Sequence, residues 1–298
     1  MGIPGGKRLR LAGCAAGALF MLSANLAAQL PDVATAPAAK PATASGYVSP
    51  YSIKFSFPED DLVGDLLYGT RGDPREESAL PHYRWDSRFV LKRYGAWGPP
   101  ARHYPPPAGI GQRSADWKRQ RVIATGMRFI GYDYQHHHIP DWLPPPEWPW
   151  LKAPSGRNGK GVDCSNFTAF VYNQALGIKP DSNVKNQAME NVIPLHDGGA
   201  VNARRIVLPR SFTAFCETLQ TGDILFLVKK DGEAFHAVLW VGKIGNAPDC
   251  VPLVLDSTGA LHHHDANGNK IPSGIHLRPV TENSQYFRNA GHALRLIE

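Results

Sequence analysis

The chain has few cysteines and no basic stripe with interleaved aromatic residues. Its 298 residues include 4 cysteines. The missing basic stripe excludes nucleic acid as a partner. The N-terminal apolar stretch "LAGCAAGALFML" is too short to cross a bilayer. We therefore expect no stable insertion into a membrane.

The N-terminus has the pattern of a secretory signal peptide. Three basic residues precede the apolar stretch, and the small residues "SANLAAQ" follow it. We place the signal at residues 1–28 and expect export to the periplasm or cell envelope. Its removal takes three positive charges from the formal +6 and leaves about +3, which permits only weak attraction to an anionic envelope polymer.

The segment "LAGC" offers an alternative, because it resembles the cleavage box of a lipoprotein and would make Cys14 a lipidated N-terminus. Only Leu11 separates this box from the basic residues, whereas a signal needs its apolar segment before the cut. That order argues against lipidation, and an uncleaved anchor is an equally weak alternative.

Beyond the signal the chain contains three cysteines, Cys164, Cys216 and Cys250. An odd number in an exported protein means that at least one thiol is free or pairs between chains. A disulfide between Cys216 and Cys250 would leave Cys164 free. The alternative is that both are partly buried free thiols.

The remaining sequence divides into three parts. Residues 29–48 are rich in Ala and Pro and predict a flexible tether. Residues 49–113 predict an N-terminal extension packed on the main domain, with "SIKFSF" and "RFVLKRYG" as short strands. Residues 114–298 form the main domain.

The main domain begins with helices and continues with strands. Ser114 caps a predicted helix that ends at Gly131, "CSNFTAFVYNQALGI" predicts a second helix, and a short one surrounds Gln187. The runs "GDILFLVKK", "FHAVLWVGKI", "VPLVLDST", "GIHLRPV" and "HALRLIE" predict strands. This order indicates an α+β fold with an antiparallel sheet of about five strands.

Cys164 stands at the start of the second helix, with Asp163 in the cap position. Unpaired backbone N–H groups and the positive end of the helix dipole favour a thiolate there. We interpret Cys164 as an exposed nucleophile. The alternative is a small buried core residue.

A thiolate nucleophile needs a base, and the base needs an orienting group. His236 opens one predicted strand and Asp256 ends the next, so the two side chains are expected to face each other. His236 as a core histidine, Asp256 as a turn cap and Ser257 as the orienting residue are the alternatives.

Together these residues resemble the NlpC-type cell-wall cysteine peptidases, which have a papain-like fold. The resemblance covers residues 114–298 and rests on "GVDCSNFTAFVY", "LQTGDILFLV", "FHAVLWVGK", "LVLDST" and, upstream, "RFIGYDY". It implies that the helix carrying the nucleophile packs on the sheet.

The resemblance also implies roles for individual residues. Cys164 would be the nucleophile, His236 the general base and later acid, and Asp256 the orienting residue. Tyr134 would support the oxyanion with the backbone N–H of Cys164, and Tyr132 competes for that assignment.

The sequence departs from the family pattern at three points. Asn166 replaces a glycine, Asp256 stands where the family commonly has histidine, and the span from Tyr134 to Cys164 is longer than usual. The inserted loop "HHHIPDWLPPPEWPW" would wall the cleft and narrow or alter the substrate range.

Four further residues are candidates for substrate binding. Asp163 and Ser165 flank the nucleophile, and His138 and Trp142 lie in the inserted loop. The histidine runs 136–138 and 262–264 suggest a metal, but adjacent histidines point in different directions, so we predict no metal site. No cofactor is implied.

The sequence thus predicts a monomeric exported cysteine hydrolase that cleaves amide bonds in peptidoglycan stem peptides, for example of the D-glutamyl-diaminopimelate type. Two alternatives are open. One is a non-catalytic envelope module that binds glycan or a protein through the Trp-rich loop. The other is an amidase or acyltransferase with another substrate, since a shared site does not fix the substrate.

Overall fold

A computed structural model describes residues 47–67, 103–132, 134, 162–259 and 262–298. Outside these residues lie the predicted signal peptide, almost all of the predicted tether, the predicted strand "RFVLKRYG" and the inserted segment with His138 and Trp142. No helix in the described ranges combines the length and apolar character needed to cross a membrane.

The described ranges contain helices and strands in the predicted order. The helices are α1 (Glu59–Leu67), α2 (Ala115–Met127), α3 (Cys164–Leu176), α4 (Val184–Gln187), α5 (Phe212–Thr218) and α6 (Gln285–Arg288). The strands are β1 (Ser52–Ile53), β2 (Val192–Pro194), β3 (Ala200–Asn202), β4 (Arg204–Val207), β5 (Ile224–Val228), β6 (Ala234–Trp240), β7 (Gly245–Asn246), β8 (Leu253–Thr258), β9 (Gly274–Pro279) and β10 (Ala290–Arg295).

The main sheet has six strands in the order β4-β10-β5-β6-β8-β9, and all neighbours are antiparallel. The predicted α+β class and the five predicted strands are confirmed. The sequence prediction missed β4, the edge strand "RRIV", in which only Ile206 is buried. An edge strand with one buried side chain carries little of the apolar pattern by which strands are recognised.

Ser114 caps α2 as predicted, because its hydroxyl accepts a hydrogen bond from the N–H of Trp117 at 3.1 Å. The helix ends at Met127 rather than at Gly131, and the chain then turns. Gly131 has a φ of 88°, a left-handed conformation that glycine adopts without a steric cost.

Both faces of the sheet are covered. Along β6, Ala237 and Leu239 face an apolar cluster that contains residues of α2 and α3, whereas Val238 and Trp240 face a second cluster that contains residues of α5 and α6. This division follows from the two-residue period of a strand. The helix that begins at Cys164 therefore lies on one face, and α6 on the other.

The described part of residues 49–113 packs on this core. Leu62, Val63 and Leu66 of α1 cluster with Trp117 and Ala124 of α2. Strand β1 pairs with β7 in antiparallel register. The extension therefore adds a helix and a short strand to the main domain.

Of the two alternatives for Cys216 and Cys250, the disulfide is not formed, because both residues are free thiols, as is Cys164. Cys216 packs against the second cluster. Cys250 is exposed, and its neighbours Ala247 and Val251 pack with the first cluster. Cys216 and the neighbours of Cys250 thus belong to different apolar clusters.

Candidate active site

Cys164 is the first residue of α3, and the cap before it is fixed by two side chains. Asp163 has an extended backbone, and its Oδ1 accepts a hydrogen bond from the N–H of Asn166 at 3.0 Å. The side-chain nitrogen Nδ2 of Asn166 also donates to both carboxylate oxygens of Asp163, at 2.9 and 3.0 Å. Asn166, which stands where the resembling family has glycine, thus stabilises the turn before the thiol.

The predicted exposure of Cys164 is wrong, because only 6% of the residue is accessible. Its side chain lies within electrostatic range of His236 and Tyr134. The thiol is thus removed from solvent, although it lies at the start of a helix.

Strands β6 and β8 bring His236 and Asp256 together. The two strands pair at Leu239 with Leu255 and at Trp240 with Val254. His236 and Asp256 lie beyond these pairs on the same face of the sheet, because side chains alternate along a strand. Nε2 of His236 is 2.9 Å from Oδ1 of Asp256.

The sequence analysis missed two further groups on Asp256. The hydroxyl of Tyr286 in α6 donates to Oδ2 of Asp256 at 2.6 Å, and Nε of Arg278 in β9 lies 3.7 Å from the same oxygen. A signal for Arg278 was available, because the polar residues His276 and Arg278 alternate with apolar ones in "GIHLRP". Nothing in the sequence around Tyr286 pointed to the site.

The charges in the site favour an ion pair between His236 and Asp256. Burial lowers the pKa of His236, but the attraction of Asp256 and Cys164 and hydrogen bonds to both side chains raise it well above its ordinary value. Burial raises the pKa of Asp256, and His236, Arg278 and Tyr286 together lower it below its ordinary value. At neutral pH the arrangement therefore favours a protonated His236 and an ionised Asp256.

Of the two candidate tyrosines, Tyr134 is the one on which Cys164 acts electrostatically. Its pKa is raised by burial and then by the negative charges of Cys164, Asp163 and Asp256. Tyr132 instead packs with the first apolar cluster, and its ring contacts that of Phe129 edge to face. The structure brings Cys164, His236, Asp256 and Tyr134 together.

Two serines near these residues have structural hydrogen bonds. The hydroxyl of Ser257 donates to the carbonyl oxygen of Val162 at 2.5 Å, so Ser257 as the group that orients His236 is wrong. The hydroxyl of Ser165 donates to the carbonyl oxygen of Ser182 at 2.7 Å. Ser165 and Asp163 are both buried, and their side chains bond within the protein.

The described part of the two histidine runs has no metal-ligand geometry. His262 stacks on His263, and His263 stacks on Tyr286, with ring centroids 4.6 and 5.3 Å apart. No group of three or more metal-ligating side chains converges within the described ranges. The run 136–138 lies outside them.

The half-buried His263 and the buried His276 predict acid sensitivity. Burial and the charge of Arg278 lower the pKa of His263 and of His276 to about 4. Unfolded histidine titrates near 6.5, so the unfolded chain binds protons first as the pH falls, and stability is lost from about pH 6.5 down to 4. Each histidine contributes up to about 3 kcal/mol to this loss of stability, since a pKa difference of one between the folded and unfolded chain corresponds to about 1.4 kcal/mol.

Urea unfolding between pH 7 and 4.5 measures this effect. His276→Gln is expected to flatten the dependence of the unfolding free energy on pH. An equal slope in the wild type and in His276→Gln would contradict the assignment.

Comparison with known proteins gives structural neighbours only. No family model matches the sequence, and no curated protein matches it. An NlpC/P60 family protein from Bacillus cereus ATCC 10987 is 18% identical, with a TM-score of 0.36 over 65% of this chain and 42% of that one. The NlpC/p60 domain of the peptidoglycan hydrolase SagA is 17% identical, with a TM-score of 0.32 over 59% of this chain and 97% of that one.

Proposed function

We propose that this chain is an exported cysteine hydrolase that cleaves amide bonds in the stem peptides of peptidoglycan, of the D-glutamyl-diaminopimelate endopeptidase type. One observation carries the chemistry: His236 hydrogen-bonds to Asp256 at 2.9 Å and interacts electrostatically with Cys164, the first residue of a helix. A nucleophile, a base and an orienting carboxylate in this order are the parts of a covalent hydrolase.

The first half of the reaction forms an acyl-enzyme. The sulfur of Cys164 attacks the carbonyl carbon of the scissile amide and forms a thioester, while the bond from carbon to nitrogen breaks. The imidazolium of His236 donates its proton to the departing nitrogen, which leaves as an amine. Asp256 stabilises the imidazolium before the transfer and keeps the ring aligned.

The second half returns the enzyme to its starting state. Neutral His236 accepts a proton from a water molecule as the water oxygen attacks the thioester carbon. The bond from carbon to sulfur breaks, the acid product leaves, and Cys164 regains its thiolate beside protonated His236. The net reaction consumes one amide and one water.

The oxyanion that forms in each half needs hydrogen-bond donors. The backbone N–H of Cys164 at the start of α3 is one, and the hydroxyl of Tyr134 is the other. The raised pKa of Tyr134 keeps its hydroxyl protonated and thus able to donate. A tyrosinate in this position would repel the developing charge.

The substrate class rests on the order of the sequence motifs and on the N-terminal signal pattern. Substrate contact through His138 and Trp142 of the inserted loop stays a prediction. Asp163 and Ser165 stay predictions too, and the bonds of their side chains favour an indirect contribution, through the shape of the helix start.

Mass spectrometry of purified sacculi digested with the protein tests this function. We expect pairs of stem fragments whose masses sum to that of the intact stem plus one water, with a new amine on one member. Rapid acid quenching should also trap an acyl group on Cys164, visible in the mass of the intact protein. An unchanged muropeptide profile with no acylated enzyme would contradict the proposal.

A further inference from the structure

The carboxylate of Asp256 has no access to water, since 0% of the residue is exposed. A buried carboxylate is costly unless charges and hydrogen bonds compensate for the lost solvation. Only Oδ1 faces His236. Other groups must therefore bind Oδ2 and keep the carboxylate ionised.

We propose that Tyr286 and Arg278 are positioning residues of this site, which hold Asp256 as an ionised carboxylate directed at His236. The inference rests on the proposed function only in that it concerns the reactivity of Cys164. Its test needs no peptidoglycan.

Tyr286 supplies a hydrogen bond from a rigid support. Its hydroxyl donates to Oδ2 of Asp256 at 2.6 Å, a short distance typical of a bond to a charged acceptor. The residue is fully buried in the second apolar cluster, and its ring stacks on that of His263 with 19° between the planes. Packing on both sides thus fixes the direction from which the hydroxyl approaches.

Arg278 supplies a charge rather than a hydrogen bond. Its Nη2 donates to the carbonyl oxygens of Pro272 and Gly274 at 2.7 and 3.2 Å, which anchors the guanidinium to the backbone where β9 begins. Its Nε lies 3.7 Å from Oδ2 of Asp256, and among the described residues neither Nε nor Nη1 has a hydrogen-bond partner. The buried cation is therefore held beside the carboxylate by the backbone.

The other titratable groups facing Asp256 leave this balance undisturbed. His263 and His276 are neutral at pH 7, since burial and the charge of Arg278 lower the pKa of each to about 4. Tyr134 is neutral as well, because burial raises its pKa. The charges that lower the pKa of Asp256 are thus those of His236 and Arg278.

The rate at which iodoacetamide alkylates Cys164, measured against pH by mass spectrometry of the Cys164 peptide, tests the inference. In Tyr286→Phe the carboxylate loses its hydrogen bond on Oδ2 and no longer fixes His236 beside the thiol. We expect the alkylation rate at pH 6 to fall about tenfold, the size of a lost bond to a charged group, and the acid limb of the profile to move to higher pH. Arg278→Met should act in the same direction.

Tyr172→Phe is the matched control. Tyr172 lies in α3, and its hydroxyl is also buried. It donates to the carbonyl oxygen of Gly222 at 2.6 Å and does not bond to Asp256. This variant should lose a similar amount of stability and keep the wild-type alkylation profile. A purely structural role of Tyr286 would make the two variants alike.

A double variant shows whether Tyr286 acts through Asp256. Once Asp256→Asn has removed the carboxylate, adding Tyr286→Phe should change the alkylation rate no further. A wild-type profile in Tyr286→Phe, or an undiminished effect in the Asp256→Asn background, would overturn the inference. Fast alkylation without any cleavage of sacculi would instead contradict the proposed substrate and leave the inference intact.

Discussion

Cys164→Ala is expected to abolish amide hydrolysis and leave the fold intact. The change removes the sulfur that forms the thioester, and neither His236 nor Tyr134 replaces it as a nucleophile. Loss of a covalent nucleophile lowers the rate of the chemical step by about 10⁴-fold or more. Only a sulfur atom leaves the core, so the free energy of unfolding should change by about 1 kcal/mol.

Release of stem fragments from sacculi, followed by liquid chromatography, measures the loss, and circular dichroism checks the fold. Cys216→Ala is the control, because Cys216 is also a free thiol but packs against the second cluster. Burial raises the pKa of Cys216 to about 11, so this thiol should be unreactive at pH 7. Hydrolysis that survives Cys164→Ala, or that is lost in Cys216→Ala, would assign the chemistry to another group.

His236→Gln is expected to lower hydrolysis by about 10²- to 10⁴-fold, the usual contribution of a general acid and base. Glutamine still hydrogen-bonds to Asp256, but it carries no proton to the leaving amine and accepts none from water. It also removes the positive charge beside Cys164. Alkylation of Cys164 below neutral pH should therefore fall together with hydrolysis.

The same variant has a signature in stability. Because folding raises the pKa of His236, its proton stabilises the native state fully below about pH 6.5, and this contribution is lost as the pH rises through the raised value. His236→Gln should remove this alkaline decline in the unfolding free energy. The variant that serves as control is His292→Gln, since His292 lies on β10 and bonds to the carbonyl oxygen of Ala188. Equal hydrolysis in the two variants would exclude His236 as the acid and base.

The sequence predicted those features that depend on neighbours along the chain. Ser114 and Asp163 are helix caps because a polar side chain two or three residues before an orphan N–H can satisfy it, whatever the rest of the fold does. The strands β5, β6, β8, β9 and β10 were likewise predicted from short β-branched or aromatic runs bounded by turn residues. The edge strand β4 was not predicted, because it buries a single side chain and so lacks an apolar pattern.

The candidate site could be predicted only in part. Cys164 stands out by its place at a helix start, and His236 and Asp256 as polar residues in apolar runs; both lie within their strands rather than at the predicted strand ends. Their partnership at 2.9 Å depends on the register of β6 against β8, which the order of the strands suggests but does not fix. Substrate contact through His138 and Trp142, which lie outside the described residues, stays a prediction.

By itself the sequence determined the α+β order, the capped helix that begins at Cys164 and the strands that carry His236 and Asp256. Only the tertiary structure decided that Cys164 is buried, that Cys216 and Cys250 stay apart, and that Tyr286 and Arg278 meet at one carboxylate oxygen. The physical reason is that caps and periods are local, whereas burial and the compensation of a buried charge join residues distant in the chain. Such contacts exist only once the sheet has formed and helices cover both of its faces.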